Sequence, residues 1–388
     1  MRKFYRALAL CLILLLLPFP AARAEGESAP VEISDAAGML AIKDNPSGSY
    51  MLTADIDMKG VDWLPVPFSG TFDGGGHVLY NLSITRMSED TSITYDGRHR
   101  GYHTVYASLF SVVENATIQN LNLLNLKINA STDQPCFAAG IAGHIERSSI
   151  LNCSVKGRIV INGTSRQCGV GGIAGFGNGL IQNCSVEAEL TVIAVNPEVA
   201  SEEYLGGILA NGYADLDGCS VVLAGYASVH GYAHNGGLIG IDDINPRNRK
   251  HSGYVKNNTV DASITFYEET DDRRAYCEAY LGENQNDTVI VSGNTTTRFE
   301  SNEVTDFSRP LRADMDENPV YDAVVTPPKD KEMGYTTYTN KDTGYSYTDD
   351  YTAPGHTPGE WVTETEPTYE SEGVKRQYCS ECGALLGE

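Results

Sequence analysis

Beyond residue 24 this sequence has no apolar stretch long enough to cross a bilayer, and no C-terminal anchor is evident. It is short of positive charge, with 28 Lys and Arg against 51 Asp and Glu and a formal net charge of −23. A surface that acidic repels phosphate backbones and anionic lipid, which argues against nucleic acid as a partner and against membrane insertion. Prolines are few, and no segment carries a 3.6-residue apolar stripe of helical length. A helical bundle is therefore not expected. What the chain has in quantity is glycine, 39 residues, and short β-compatible stretches separated by Gly, Asn and Ser.

The first residues set the expected address. Arg2, Lys3 and Arg6 precede an apolar run from Ala7 to Phe19, and Ala22-Arg23-Ala24 follows as a small-x-small cleavage site. This is the pattern of a secretory signal peptide over residues 1–24, cleaved before Glu25. Leu10 stands before Cys11 where a lipoprotein signal wants a small residue. The expected location is extracellular, either secreted or held non-covalently at the cell surface. The leader carries four basic residues and no acid, so its removal takes the charge from −23 to −27.

Internal repetition is the main signal. Leu79-Tyr80-Asn81-Leu82-Ser83-Ile84 is followed by Ile118-Gln119-Asn120-Leu121-Asn122-Leu123, Ile150-Leu151-Asn152-Cys153-Ser154-Val155 and Ile181-Gln182-Asn183-Cys184-Ser185-Val186. Leu216-Asp217-Gly218-Cys219-Ser220-Val221 and Val255-Lys256-Asn257-Asn258-Thr259-Val260 are weaker copies, and Val291-Ser292-Gly293-Asn294 is a last echo. A second element precedes the hexads: Ala139-Gly140-Ile141-Ala142-Gly143, Gly171-Gly172-Ile173-Ala174-Gly175, Gly206-Gly207-Ile208-Leu209-Ala210 and Gly236-Gly237-Leu238-Ile239-Gly240. Tyr106 to Ser111 reads as its first member.

One such unit cannot bury its apolar face alone, but stacked units share a continuous core. The outer apolar positions of the hexad are separated by an odd number, so a straight strand would put them on opposite faces. A corner at the Asn resolves this, because Asn tolerates a left-handed backbone and its amide can bond the next coil. The ladder residues are then Asn81, Asn120, Asn152, Asn183 and Asn257, with Cys153, Cys184 and Cys219 just inside. The Gly-Gly-Ile-Ala-Gly element suits a tight bend where backbone approaches backbone. The fold expected is all-β, a right-handed parallel β-helix solenoid over residues 25–311. Ser34 to Lys43 offers a Ser or Asp cap followed by Met39, Leu40 and Ile42, a short N-terminal capping helix. The β-sandwich is the alternative architecture.

Tyr50 to Asp57, Trp63-Leu64-Pro65 and Phe68-Ser69-Gly70-Thr71-Phe72-Asp73-Gly74-Gly75-Gly76-His77 resemble the opening coils of bacterial surface proteins with GLUG-type repeats. Those repeats also occur beside the catalytic domain of immunoglobulin-A-degrading metalloproteases. The resemblance covers roughly residues 31 to 300. It implies a secreted or surface β-helix with adhesive or accessory roles. It does not imply protease activity, since the zinc-binding His-Glu-x-x-His of the metalloprotease is missing.

Outside the leader there are eight cysteines. Those of the hexad read as small buried hydrophobes. Cys136 and Cys168 each precede the second glycine of their element by four residues, with Cys277 a later equivalent, and they are the candidates for a disulfide between neighbouring coils. Residues 353–388 form a small tail module with Cys379 and Cys382 in a Cys-x-x-Cys. It resembles small repeat modules at the ends of secreted clostridial-type proteins. Those modules carry a further Cys where Tyr369 stands here, so zinc, a local disulfide and a vestigial site stay open. Residues 312–352, rich in Tyr, Thr, Asp, Pro and Lys, read as a low-complexity linker.

Chemistry is thinly represented. Asp242-Asp243 is the nearest thing to a catalytic carboxylate pair, and His77, His144 and His234 lie near turns without an acid/base constellation. Asp55, Asp57 and Asp73 match no compact calcium loop and read as turn residues. No cofactor is expected. The reading is a non-catalytic binding or adhesion module for an extracellular glycan, matrix or envelope component. A carbohydrate-active lyase or hydrolase on a β-helix is the alternative.

Overall fold

The computed structural model describes residues 29–88, 92–94, 102–165, 167–194, 201–229, 231–242, 253–268, 275–284, 289–304, 321–328, 334–340, 346–352, 358–365, 373–380 and 385–387. The leader lies outside these. Contacts divide the chain into Met1–Pro30 and Val31–Glu388, and the structure that follows belongs to the second unit.

The repeat folds as a stack of parallel coils. Successive coils feed strands into three sheets of 13, nine and seven strands, parallel throughout except where Ser92–Thr94 pairs with Tyr102–Ala107. The hexads stack in the order the sequence spacing implies. Phe72, Ile118, Ile150, Ile181, Leu216, Val255 and Val291 oppose one another in turn. All but Val291 are fully buried. Past the corner, Leu79, Leu123, Val155, Val186, Val221 and Val260 make a second inward column. Burying each aliphatic side chain contributes about 1.5–3 kcal/mol, and only stacking gives both of its sides a neighbour. The columns then end for a visible reason. In Thr295–Val304, the residues opposite Val260 and Ile264 are Thr296 and Ser301, both exposed. A coil with polar residues at these positions can face water.

The asparagine corners are left-handed, as the odd spacing demanded. Asn120, Asn152 and Asn183 have φ of 53° and Asn257 has 58°, while Gly218 and Gly293 take their places at 67°. Asn152 Nδ2 donates to Asn120 Oδ1 at 3.2 Å and Asn183 Nδ2 to Asn152 Oδ1 at 3.3 Å. Each amide thus pays the left-handed residue below it with one coil-to-coil bond. Asn152→Ala is expected to cost about 1–2 kcal/mol, from a strained φ and a lost ladder bond. Asn152→Gly keeps the φ and should cost less. Urea unfolding of the two variants checks the order.

Asn81 is not part of this ladder. The position opposite Asn120 is Gly74, because Asp73 pairs with Gln119 while Val78 pairs with Asn122. The first coil therefore has two extra residues at this corner, where Gly75 and Gly76 adopt φ of 60° and 79°. Asn81 turns the following corner instead. It has φ of 60°, and its Oδ1 accepts from Asn125 Nδ2 at 2.8 Å. Similar hexads hid this shift because both corners want the same residue type. Cys277 is displaced in the same way: it opposes Asn235, while Ala275 holds the column of Cys136 and Cys168.

The glycine-rich element is a tight bend between the seven- and 13-stranded sheets. A Cβ on Gly171 would stand 1.8 Å from the Ala174 carbonyl oxygen, and one on Gly206 would stand 1.9 Å from that of Leu209. At the N-terminal end, helix α1 (Ala36–Ala41) begins at Asp35, whose Oδ1 accepts from Gly38 N at 2.8 Å. Met39 and Ile42 are buried beside Ile33 and Leu52. Leu40, expected inward, is exposed, since it lies on the opposite side of this short helix from Met39 and Ile42.

The segment read as a linker is not without structure. Tyr321–Thr326, Gly334–Asn340 and Ser346–Thr352 form an antiparallel sheet. Tyr and Thr favour pleated backbone even without an apolar period, and Val324 and Val325 remain exposed. Pro358–Thr365, Val374–Cys379 and Leu385–Gly387 form a second antiparallel sheet within the tail module.

Candidate functional site

Two outward surfaces of the solenoid carry organised side chains. The first is the crease where the seven- and 13-stranded sheets meet. Along the seven-stranded sheet, Tyr106, Phe137, Gly169, Tyr204, His234 and Tyr276 stand in register. Opposite them on the 13-stranded sheet are Val112, His144, Phe176, Asn211, Ile241 and Glu283. The rings form a continuous chain. His144 lies 6.2 Å from Tyr106 and 5.1 Å from Phe176, and Phe176 lies 5.4 Å from Phe137. Phe137 then stacks on Tyr204, Tyr204 on His234 and His234 on Tyr276, with centroids 6.1, 5.4 and 5.5 Å apart. Room for this exists because Gly169 and Gly143 are bare: a Cβ on either would collide with the Phe137 or Tyr106 ring. The crease is a second core, with Tyr106, Phe137 and Tyr204 almost wholly buried. Among the described residues it is filled by the protein's own rings.

Polar groups in the crease are held individually. His234 Nδ1 lies 2.8 Å from Glu283 Oε2, and Tyr204 Oη donates to Glu202 Oε2 at 2.5 Å. Among the described residues His144 Nδ1 has no hydrogen-bond partner. Burial lowers the His144 pKa to about 4, against a small opposing pull from Glu114. Its folded pKa is thus below the unfolded value of 6.5, so the unfolded chain binds more protons between the two. Stability should fall as pH drops from about 6.5 to about 4, by roughly 1.4 kcal/mol per pH unit at most, and then level off. Phe176 occupies the equivalent position one coil later, so His144→Phe should remove this component. Urea midpoints measured across that range test it.

The second surface is the outer face of the nine-stranded sheet. The residue two past each corner is Asn122, Ser154, Ser185, Ser220, Thr259 and Thr295, all in register. Ser154 Oγ donates to Asn122 Oδ1 at 2.7 Å, and Ser220, Thr259 and Thr295 are exposed. Beside this column run cross-coil ion pairs, Lys156–Glu187 at 2.9 Å and Arg298–Asp261 at 2.8 Å. The result is a ladder of small hydroxyl and amide groups spaced about 4.8 Å apart, the distance between neighbouring strands.

The residues singled out for chemistry are distributed elsewhere. Asp242 is 1% exposed and stands in the column that begins with the core residues Val113 and Ile145. It does not face a groove, and Asp243 lies outside the described residues. Asp73 accepts from Gly75 N, Gln119 Nε2 and Asn120 Nδ2 at 2.8, 2.8 and 3.0 Å. Partial burial works against these bonds, but together they hold its carboxyl below the usual range. Asp55 binds Val78 N and His77, and Asp57 binds Lys59 N and Asn81. These are turn residues bonded by protein donors.

Cys153, Cys184 and Cys219 form one buried inward column, continued by Asn258 and Asn294. Each sulfur lies near the carbonyl two residues earlier, at 3.2, 3.4 and 3.8 Å. The neighbouring Cys153 thiol, together with burial, pushes the Cys184 thiol up. Asn258 Oδ1 accepts from Cys219 N, and Asn258 Nδ2 donates to Asn294 Oδ1, so an amide ladder takes over where the thiols stop. Cys136 and Cys168 are register partners with their sulfurs 2.9 Å apart. Cys379 is 4% exposed, and Cys382 lies outside the described residues. Among the described residues no group of three or more His, Cys, Asp and Glu is arranged to hold a metal ion.

Sequence reasoning missed both outward surfaces. The crease residues flank the Gly-rich element, with His144 and Phe176 just after it and Phe137, Tyr204 and His234 two positions before it. Only the bend brings the two sets together. The hydroxyl column was visible as Asn-x-Ser strings but had no face assigned to it.

No family model matches the chain. It is similar to an immunoglobulin A1 protease of Streptococcus pneumoniae, 23% identical over 255 residues that make up 58% of this chain and 12% of that protein. It is also similar to halomucin of Haloquadratum walsbyi, 29% identical over 168 residues, which are 38% of this chain and 2% of that one. The chain thus spans only a small part of the curated relatives it matches. A solved IgA1 protease structure aligns with 94% of this chain and 34% of its own, at 13% identity and a TM-score of 0.31. Among the described residues no helix is long and apolar enough to cross a membrane.

Proposed function

We propose that this chain is a secreted or surface-held binding module built from GLUG-type repeats, and that it has no catalytic activity. The observation that carries the reading is the in-register hydroxyl and amide column from Asn122 to Thr295, presented on the outer face of the nine-stranded sheet. Small polar groups repeated at strand spacing suit an extended polar partner that also repeats, such as a glycan, or an extended strand of a matrix protein. The leader pattern, the acidic charge and the repeats' likeness to large proteases and a halomucin all agree with an accessory module outside the cell.

The arrangement of acids favours binding over hydrolysis. Glu202 and Glu283 are the carboxylates of the crease, each held by a ring partner, and they sit two coils apart. Two strand spacings put their backbones about 9.6 Å apart along the axis, and each carboxylate is already engaged by a neighbouring ring. The test is a glycan and matrix-protein array probed with the full chain. Binding without release of oligosaccharide, weakened severalfold by Ser220→Lys together with Thr259→Lys, is the expected result. Product release that disappears in Glu283→Gln would sink the reading in favour of the carbohydrate-active enzyme. Silence on every array would favour a structural spacer.

A further inference from the structure

Five buried cysteines lie in two inward columns of this solenoid, and the two columns are not chemically alike. In the column of Cys153, Cys184 and Cys219, each sulfur has main-chain carbonyls within reach: its own coil's, and those of Ile118, Ile150 and Ile181 at 3.9, 3.5 and 3.5 Å. Those thiols also neighbour one another along the column, but each has main-chain carbonyls to donate to. Cys136 and Cys168 are hydrogen-bonded sulfur to sulfur. They pair Cα to Cα in adjacent parallel strands of the seven-stranded sheet, both are fully buried, and their sulfurs are 2.9 Å apart. Neighbouring strands are about 4.8 Å apart, within the Cα separation that a disulfide accepts.

The surroundings are shaped to the pair. A Cβ on Gly163 would stand 2.1 Å from Cys168 Sγ and 3.3 Å from Cys136 Sγ, so the two sulfurs fill the space that this glycine leaves. One coil further, the same column carries Glu203 and then Ala233. No third thiol competes in this column.

We propose that Cys136 and Cys168 are joined by a disulfide that staples two adjacent coils. Each thiol gives up its proton, and the two electrons pass to a disulfide donor by exchange. One S–S bond forms in the protein, and the donor's S–S bond breaks to give two thiols. Burial, the neighbouring thiol and the charge of Glu203 raise the Cys136 pKa in the folded chain. A buried, protonated thiol exchanges slowly, so the bond forms while the coils are stacking and is afterwards protected. The closed loop is one coil long. The pairing rests on register and distance and does not depend on what the outer faces bind.

The experiment is a disulfide map of the full chain. The reduced, unfolded protein is refolded with mixed oxidised and reduced glutathione, then alkylated in denaturant and digested. The expected result is a single linked peptide joining Cys136 to Cys168, lighter by two hydrogen atoms than its reduced parts, with Cys153, Cys184 and Cys219 fully alkylated. The oxidised protein should also have a folded-to-unfolded ratio on the order of a hundredfold above that of the reduced one, and this difference should vanish in Cys136→Ser with Cys168→Ser. Alkylation of both Cys136 and Cys168, or a link within the Cys153 column, overturns the proposal. If the double variant does not fold, the map of the unmodified chain decides alone.

Discussion

Gly177→Ala should destabilise the solenoid by about 3–5 kcal/mol, the largest single effect expected from so small a change. Gly177 has φ of 118°, a backbone region that L side chains avoid. A Cβ there would stand 1.9 Å from the Ile145 carbonyl oxygen of the coil before it. The same closeness recurs at Gly212, with φ of 132° and a Cβ position 2.0 Å from the Gly177 oxygen. Beside Gly177, an extra residue, Arg147 at φ of 49°, bulges the preceding strand and shifts its register between Glu146 and Ser148. Backbone, which cannot retreat, is what the new methyl would meet. Urea unfolding should show a lower midpoint with an unchanged slope. The control is Gly218→Asn, where a left-handed corner accepts Asn and the nearest obstacle is the end of the Asn183 side chain. That change should stay within about 0.5 kcal/mol of the parent. Equal losses at the two glycines would contradict the distinction between a crowded backbone at Gly177 and an open corner at Gly218.

Phe110→Ala comes next, at about 3–5 kcal/mol. The ring is fully buried, stacked on Phe68 at 4.7 Å and edge-on to Phe72 at 5.7 Å. The three come from Val66–Phe68, Thr71–Asp73 and Phe110–Glu114, and together they fill the irregular first coils. Later coils place Ala142, Ala174, Leu209 and Ile239 in the Phe110 column. Phe110→Leu should cost less than Phe110→Ala, because it leaves a smaller cavity. Stacked coils depend on their neighbours, so amide exchange in Phe110→Ala should accelerate first in residues 31–84. Uniform acceleration over the whole solenoid would contradict this.

Much of the architecture was legible in advance because its cause is periodic. The hexad and the glycine-rich element recur in fixed order, and strand register followed from their spacing between Ile118 and Val291. The corner at Asn152 could be deduced from parity alone. Where coils carry unequal corners, the same logic slipped: Asn81 and Cys277 resemble ladder members in sequence but sit one corner or two residues away. The strands within 312–352 lacked an apolar period, so their pairing could not be seen.

The sequence by itself determined that the chain stacks coil on coil, where it turns, and which residues fill the interior, because one-dimensional repetition is preserved when a repeat is wound into a solenoid. Only the tertiary structure decided which side chains meet across coils and sheets. It turned Asp242 away from the surface, closed the crease with a chain of rings and lined up the hydroxyls of Ser154, Ser185 and Ser220. It also set two sulfurs side by side. Those relations depend on lateral register and on the angle between sheets. Both are fixed by packing in three dimensions and leave no period in the chain.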